Sequence, residues 1–178
     1  MIFEGRPHPE HAPTYAKYYF DRTIGDTNLL DALKKNKQIT ADFIRSLPPD
    51  KADFQYADGK WSTKSVIAHI NDTERIFQYR ALRFSRGDET ALPGFEEDFY
   101  ATQANTDGRN YEDLAAEFEA IRESTITLFR YMTAPMLDFT GKCNHSILSA
   151  RSAGWIMIGH AVHHCGIIKE RYLVEVEE

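Results

Sequence analysis

Cysteine is scarce in this sequence, and its scarcity excludes a domain held together by disulfides. The 178 residues contain only Cys143 and Cys165, too few for a disulfide framework, so a reducing compartment is expected. Long apolar runs are also missing. No stretch approaches the roughly 20 apolar residues of a transmembrane helix, and residues 1–13 have no apolar core of signal-peptide length. These absences predict a cytoplasmic protein that does not engage a membrane.

Positive charge is in deficit as well. The formal net charge is −6 at pH 7, and no long basic stripe could follow the phosphates of a nucleic acid. The sequence also lacks a glycine-rich phosphate loop, a CxxC pair and an HExxH motif. Nucleic-acid binding is therefore not expected, and the enzyme classes that depend on those three motifs are excluded.

What the sequence does contain is an ordinary globular composition, with 42% apolar and 27% charged residues. Residues 1–13 hold three of the seven prolines and are predicted to form a flexible arm. Residues 14–178 are long enough to bury one hydrophobic core without disulfides or other cross-links. The chain is therefore predicted to be an arm followed by a single domain.

Four long stretches carry apolar residues at helical spacing, and no stretch shows the alternation of a strand. The predicted helices are residues 26–47, 62–86, 110–131 and 147–173, of which the second and third begin at the N-caps Ser62 and Asn110. The fold class is therefore all-α, a four-helix bundle with long crossover connections. One connection, residues 88–108, is expected to hold a short helix near 96–103. It could line a binding site or only cover the bundle.

The run from Gly159 to Cys165 in the last predicted helix contains three of the seven histidines. His160 and His164 are four residues apart, so they project from one face of the helix and can reach one metal ion. Apolar neighbours on that face indicate that they point into the protein. His69 lies on the apolar stripe of the second helix. A single histidine there is more often a hydrogen-bonded core residue than a ligand, but the pair needs a third ligand and His69 is placed to supply it.

Three imidazoles would suit zinc, nickel, copper or iron rather than magnesium or calcium. Three protein ligands leave a coordination position open, which is typical of a catalytic site. His163 could ligate, orient a ligand or be exposed. Asp72 and Glu74, near His69 in the sequence, are candidates for acid–base catalysis, although solvated surface acids are the more common outcome. Cys165 is expected to be a buried, inert thiol.

Two segments resemble the DinB/YfiT family: Trp61-Ser62 followed by His69-Ile70, and the run from Ser149 through Gly154-Trp155 to His164. The resemblance implies a small four-helix bundle in which one histidine of the second helix and two of the last bind a divalent metal. By position these are His69, His160 and His164. It also implies relatives that use a low-molecular-weight thiol, such as mycothiol- or bacillithiol-dependent transferases and a maleylpyruvate isomerase. Many members are homodimers, and the family name does not imply DNA binding.

Three functions remain open on these grounds. The first is a metal-dependent thiol S-transferase acting on a small-molecule substrate, in which the metal, most simply zinc or nickel, binds the sulfur of a thiol co-substrate. The second is a hydrolase that uses metal-bound hydroxide. The third is a non-enzymatic stress protein that binds a metal or a small ligand. A homodimer is expected in each case.

Overall fold

Four long helices dominate the computed structural model, which describes residues 4–174. The elements in chain order are α1 Ala16–Phe20, α2 Leu29–Arg45, α3 Thr63–Ser85, α4 Glu97–Gln103, α5 Tyr111–Arg130, α6 Ala134–Asp138, β1 Thr140–Cys143, β2 Ser146–Ser149 and α7 Ala150–Ile167, which a π-helical turn at Ile168–Tyr172 extends. Helices α2, α3, α5 and α7 pack against one another as a bundle. The predicted all-α four-helix bundle is therefore confirmed.

Each long helix begins where a polar side chain satisfies backbone N–H groups of its first turn. The Asn28 side chain accepts hydrogen bonds from the N–H groups of the second and third residues of α2. Ser62 and Ser149 each accept one from the residue three positions later, at the starts of α3 and α7. Asn110 and Asp113 form a reciprocal capping box at the start of α5. The N-caps predicted at Ser62 and Asn110 are therefore correct, and they set the helix boundaries.

Helix α7 is the central element of the bundle. Its first twelve residues, Ala150 to Ala161, are all buried. Arg151 is the only charged residue among them, so this segment has no charged face for solvent, and a helix that is apolar all round is enclosed by others. Trp155, fully buried, anchors it in the core. Within residues 4–174, no helix combines the length and apolarity needed to cross a bilayer.

A buried ion pair joins three helices of the bundle, α2, α3 and α5. Arg122 of α5 donates two hydrogen bonds to the Glu74 carboxylate of α3, at 2.6 and 2.8 Å. It donates a third to Asn36 Oδ1 of α2 at 2.6 Å. The Thr125 hydroxyl also donates to Glu74, at 2.9 Å. This network satisfies two charges that would otherwise be costly to bury.

The predicted start of the last helix at residue 147 is wrong, and so is the expectation that the chain has no strands. Strands β1 and β2 form an antiparallel hairpin in this region. Asn144 and His145 make its two-residue turn with φ values of 44° and 61°, the left-handed conformation that tight hairpins require. The paired segments are only four residues each, too short for the alternation of a strand to be recognised. The helix therefore begins at Ala150, after its cap Ser149.

The crossover at residues 88–108 is fastened to this hairpin. The Leu92 N–H donates to the carbonyl of Lys142 at 2.9 Å, and the Leu92 carbonyl accepts from the Asn144 N–H at 3.1 Å. Gly94 permits the close approach, because a Cβ at this position would lie 2.6 Å from Asn144 Oδ1. The crossover then continues into α4, which confirms the short helix predicted near 96–103.

The short helix α1 packs on α7 where Gly159 leaves room for it. A Cβ at Gly159 would lie 2.3 Å from the carbonyl oxygen of Tyr19, closer than non-bonded atoms can approach. Because the clash involves backbone, no rotamer change could relieve it. Gly159 therefore brings the ring of Tyr19 against His160, the next residue of α7.

Gly159→Ala is expected to lower the free energy of unfolding by about 1–3 kcal/mol, since the methyl group must push α1 away from α7. Urea titration followed by circular dichroism measures the change. Gly166→Ala is the matched control in the same helix, because a Cβ there meets nothing within 4 Å. It should be neutral or stabilise by up to about 1 kcal/mol, because alanine has the higher helix propensity. Equal behaviour of the two variants would contradict the packing argument.

Candidate metal centre

The structure brings together the three histidines that the sequence predicted as ligands. His69 comes from the second turn of α3, and His160 and His164 come from successive turns of α7. These two helices pack side by side, so the three side chains meet between them. His69 and His160 are buried, each with 5% of its surface exposed, and His164 is half-buried.

The spacing of the imidazole nitrogens fits a single metal ion. The Nε2 atoms of His69 and His160 are 3.0 Å apart, and one potential ligand atom from each of the three rings lies within 4.8 Å of the others. Zn–N bonds of about 2.0–2.1 Å in tetrahedral geometry would place the nitrogens roughly 3.4 Å apart. A small inward movement of His164 would complete the set. Within residues 4–174, no carboxylate or thiolate joins the cluster, so the donors are all imidazole nitrogens.

Burial keeps these imidazoles in the neutral form that a metal ligand requires. Desolvation lowers the pKa of His69 to about 4, although Asp98 opposes the shift. Desolvation also lowers the pKa of His164 to about 2, with the neighbouring His69 adding to it. Desolvation also lowers the pKa of His160 well below its ordinary value, and the neighbouring histidines add to the shift. All three rings are therefore uncharged at neutral pH, with lone pairs free to bind a cation.

Aromatic side chains hold the rings in place. The Trp61 ring lies 4.8 Å from that of His69, and the Tyr19 ring lies 5.6 Å from that of His160, measured between centroids. His163 stands next to the cluster, with its centroid 4.8 Å from that of His164. Its Nδ1 is hydrogen-bonded to the Tyr18 hydroxyl at 3.0 Å. Desolvation lowers the pKa of His163 too, so its ring is neutral and able to accept a proton.

Two cavities reach the cluster from different directions. The larger cavity, about 700 Å³, is bounded by His163 and His164 and by the segment that precedes α3. The smaller cavity, about 410 Å³, is bounded by His69 and His160. Helix α4 lies at both, with Asp98 at the larger cavity and Glu97 at the smaller one. The crossover therefore lines the candidate site and does not merely cover the bundle.

The two carboxylates predicted as acid–base candidates lie away from these cavities. Glu74 is held by Arg122 in the buried network between α3 and α5. Asp72 lies 3.5 Å from Arg75, and burial raises the pKa of its carboxyl. Neither residue lines the larger or the smaller cavity. Of the three acid–base candidates, only His163 adjoins the histidine cluster.

Cys165 follows His164 in the sequence but does not join the cluster. Desolvation raises the pKa of its thiol to about 12, so the thiol stays protonated at neutral pH. A protonated thiol is a poor nucleophile and a poor metal ligand. The protonated thiol agrees with the inert cysteine expected from the sequence, but the residue is half-buried rather than buried.

The sequence reasoning missed two polar residues of α3 that face the smaller cavity, Thr73 and Arg80. Their positions follow His69 by four and eleven residues, a spacing that returns to the same face of a helix. That spacing was readable from the sequence. The apolar residues between them made the face look like ordinary core.

Comparison with known proteins identifies the family. The family model described as the DinB superfamily matches residues 32–168. A protein of Oceanobacillus iheyensis, provisionally named a metal-dependent hydrolase, is 27% identical over 129 residues, which cover 71% of this chain and 73% of that protein. The solved structure of YfiT from Bacillus subtilis, described as a probable metal-dependent hydrolase with an unusual four-helix bundle topology, matches with a TM-score of 0.71 and 15% identity over 94% of this chain and 91% of that one. At that identity the structural match shows the shared fold alone. On the match to the family model, this chain belongs to the DinB superfamily.

Proposed function

We propose that this chain is a metal-dependent hydrolase of small molecules, with His69, His160 and His164 as the ligands of one divalent transition metal. The observation that carries the proposal is the convergence of three neutral imidazoles between two cavities. An all-nitrogen donor set favours zinc or nickel over magnesium or calcium. The names given to the Oceanobacillus and Bacillus relatives support the same reaction class.

A divalent metal at such a site supplies Lewis acidity, which lowers the pKa of water and polarises a substrate carbonyl. The chain's own residues would supply the proton transfers. His163 is a neutral base beside His164, at the larger cavity, and can take the proton that water loses when its oxygen joins the acyl carbon. The proton then passes to the departing alcohol or amine. Tyr18, hydrogen-bonded to His163, orients the ring for this role.

Thiol transfer is the second candidate function. The larger cavity, at about 700 Å³, is within the range that holds ligands of drug size, so it has room for a low-molecular-weight thiol next to His164. The chain itself offers no reactive thiol there, because the pKa of Cys165 is raised to about 12. A transferase would therefore depend entirely on an added thiol, and this dependence separates the two functions experimentally.

Untagged protein reloaded with zinc or nickel is expected to hold about one metal per chain and to hydrolyse activated esters or amides without any thiol. Elemental analysis and a chromogenic ester panel measure the two properties. Treatment with a chelator should abolish turnover, and readdition of metal should restore it. His164→Ala is the matched negative control.

Two outcomes would contradict the proposal. Turnover that requires bacillithiol or mycothiol would assign the chain to the transferases. Failure to retain any transition metal after reloading would leave a small-ligand-binding protein with three packed histidines.

A further inference from the structure

The smaller cavity continues away from the histidine cluster along one face of α3. His69, Thr73, Phe77 and Arg80 all line it from that helix, at intervals of four, four and three residues that keep them on one side. The cavity therefore has a histidine end and an arginine end, with Phe77 between them. Its middle is also bounded by Phe95 and Ile156 and is apolar.

Arg80 at the far end is a buried cation without an acidic partner. Residues 4–174 contain three buried arginines. Arg122 binds Glu74 and Arg151 binds Asp138, whereas no carboxylate of the described chain lies within 4.0 Å of the Arg80 guanidinium. Arg80 is 4% exposed, and one of its nitrogens donates to the carbonyl of Pro93 at 3.1 Å. Its remaining N–H groups donate to no atom of residues 4–174. The Phe77 ring, with its centre 5.0 Å from the guanidinium carbon, offsets part of the cost of burying this charge. A bound anion would offset much more of it.

The two acidic residues at the start of α4, its N-cap Glu96 and its first residue Glu97, do not supply that anion. Glu96 and Glu97 line the smaller cavity as well, but both are exposed. Neither carboxylate comes within ion-pair distance of Arg80 among the described contacts. Their exposed charges remain solvated, so they leave the guanidinium unpaired.

Thr73 is a second polar group in this cavity that no protein atom satisfies. Its side chain is 4% exposed, and its hydroxyl has no hydrogen-bond partner. It follows His69 by one turn of α3, on the way to Arg80. A buried hydroxyl costs stability when it is left unpaired, so it points to a ligand as independently as Arg80 does.

We propose that Arg80 and Thr73 form a substrate subsite that selects an elongated molecule with a carboxylate at one end and an apolar middle. The guanidinium binds the carboxylate with two parallel hydrogen bonds. Phe77 contacts the apolar segment, and the Thr73 hydroxyl donates to the polar group near the histidines. The Arg80 guanidinium reaches back to within 5.0 Å of the centre of the Phe77 ring, so the gap to His69 is shorter than the roughly 16 Å that separates positions 69 and 80 along the helix axis. The carboxylate is then separated from the reacting carbonyl by several bonds. The position of the reacting bond rests on the proposed function.

Linear dicarboxylates of increasing length, succinate through azelate, are suitable probes because one end can meet the metal and the other Arg80. Isothermal titration of the metal-loaded protein is expected to show one preferred length. Arg80→Gln should weaken binding of that dicarboxylate by about tenfold to hundredfold and remove the length preference. Arg80→Lys should bind that dicarboxylate with an affinity between those of the wild type and Arg80→Gln. Lysine keeps the positive charge but cannot form the two parallel hydrogen bonds.

Arg86→Gln is the matched control, because it removes the same charge from an exposed arginine close to the end of α3. It should bind every probe as the wild type does. Thr73→Val keeps the shape of the side chain and breaks no protein hydrogen bond, so it should fold even if Arg80→Gln does not. Thr73→Val is expected to weaken binding of the preferred dicarboxylate by about threefold to tenfold.

A metal-free arm separates this inference from the proposed function. Chelator-treated wild-type protein should still prefer hexanoate to hexanamide, and Arg80→Gln should lose that preference. If metal and turnover are absent while this preference persists, the hydrolase proposal fails and the subsite stands. If the metal-loaded protein hydrolyses esters while dicarboxylates bind wild type and Arg80→Gln equally, the subsite is wrong and the hydrolase stands.

Discussion

His160→Ala is expected to abolish metal retention and, with it, hydrolysis. His160 is a proposed ligand that is buried in the core, with its Nε2 3.0 Å from that of His69. Without it, only one imidazole from each of two separate helices remains, and two ligands do not make a stable site of this type. Elemental analysis of the reloaded variant should give near-zero metal where the wild type gives about one equivalent per chain.

His163→Ala is the matched control for this result. The two histidines are three residues apart on α7, but His163 contacts Tyr18 and lies beside the cluster. Its removal should leave metal content unchanged and lower the turnover number by about a hundredfold or more, as expected for a lost general base. The wild-type rate should fall only below the ordinary histidine pKa of about 6.5, because the pKa of His163 is lowered. Loss of metal from both variants alike would mean that His163 ligates and does not act as the base.

Glu74→Ala is expected to lower the free energy of unfolding by about 3–5 kcal/mol, the usual cost of leaving a buried charge without its partner. Arg122 would keep its bond to Asn36 but lose both bonds to the carboxylate, in a position that is 0% exposed. Chemical denaturation measures the change. The folded fraction should still bind metal normally, because Glu74 contacts none of the three histidines.

Two further variants test whether burial of the charge causes the large loss of stability expected for Glu74→Ala. Glu123→Ala breaks the Lys37–Glu123 pair between α2 and α5, in which the side chains are 28% and 49% exposed, and should cost at most about 1 kcal/mol. Replacing Glu74 and Arg122 together by methionine should recover much of the loss from Glu74→Ala, since the lone charge is gone. Unchanged stability combined with lost turnover in Glu74→Ala would instead restore Glu74 as a catalytic residue.

The parts of this protein that were predictable from sequence are those governed by short-range patterns. The four helices follow from apolar spacing and from caps such as Ser62 and Asn110. The pairing of His160 with His164 follows from helix geometry. His69 was identified because that pair needs a third ligand and His69 lies on the buried face of the second predicted helix. Their convergence in the structure agrees with that reasoning, whereas metal binding itself stays a prediction.

The rest depended on contacts between residues distant in the chain. Glu74 lies 48 residues from Arg122, and the sequence around Glu74 does not indicate that Arg122 is its partner. The hairpin is too short to leave a recognisable pattern, and one of its contacts is a bridge from Cys143 to Leu92, about 50 residues earlier in the crossover. Arg80 could be recognised as a candidate binding residue only from the structure, which shows that it is buried and that no carboxylate of residues 4–174 pairs with it. The arm-and-domain division, the homodimer, the cytoplasmic location and a thiol co-substrate stay predictions.

The enclosure of α7 has a consequence for how such a chain can diversify. Residues 150–161 of α7, which include His160, are all buried, so almost any replacement there disturbs packing. Helix α4 reaches both cavities, yet none of its residues is buried. Mutations can therefore accumulate on α4 at little cost to folding. Under the proposed function, substitutions on α4 can change substrate preference while the buried part of α7 keeps His160 in place.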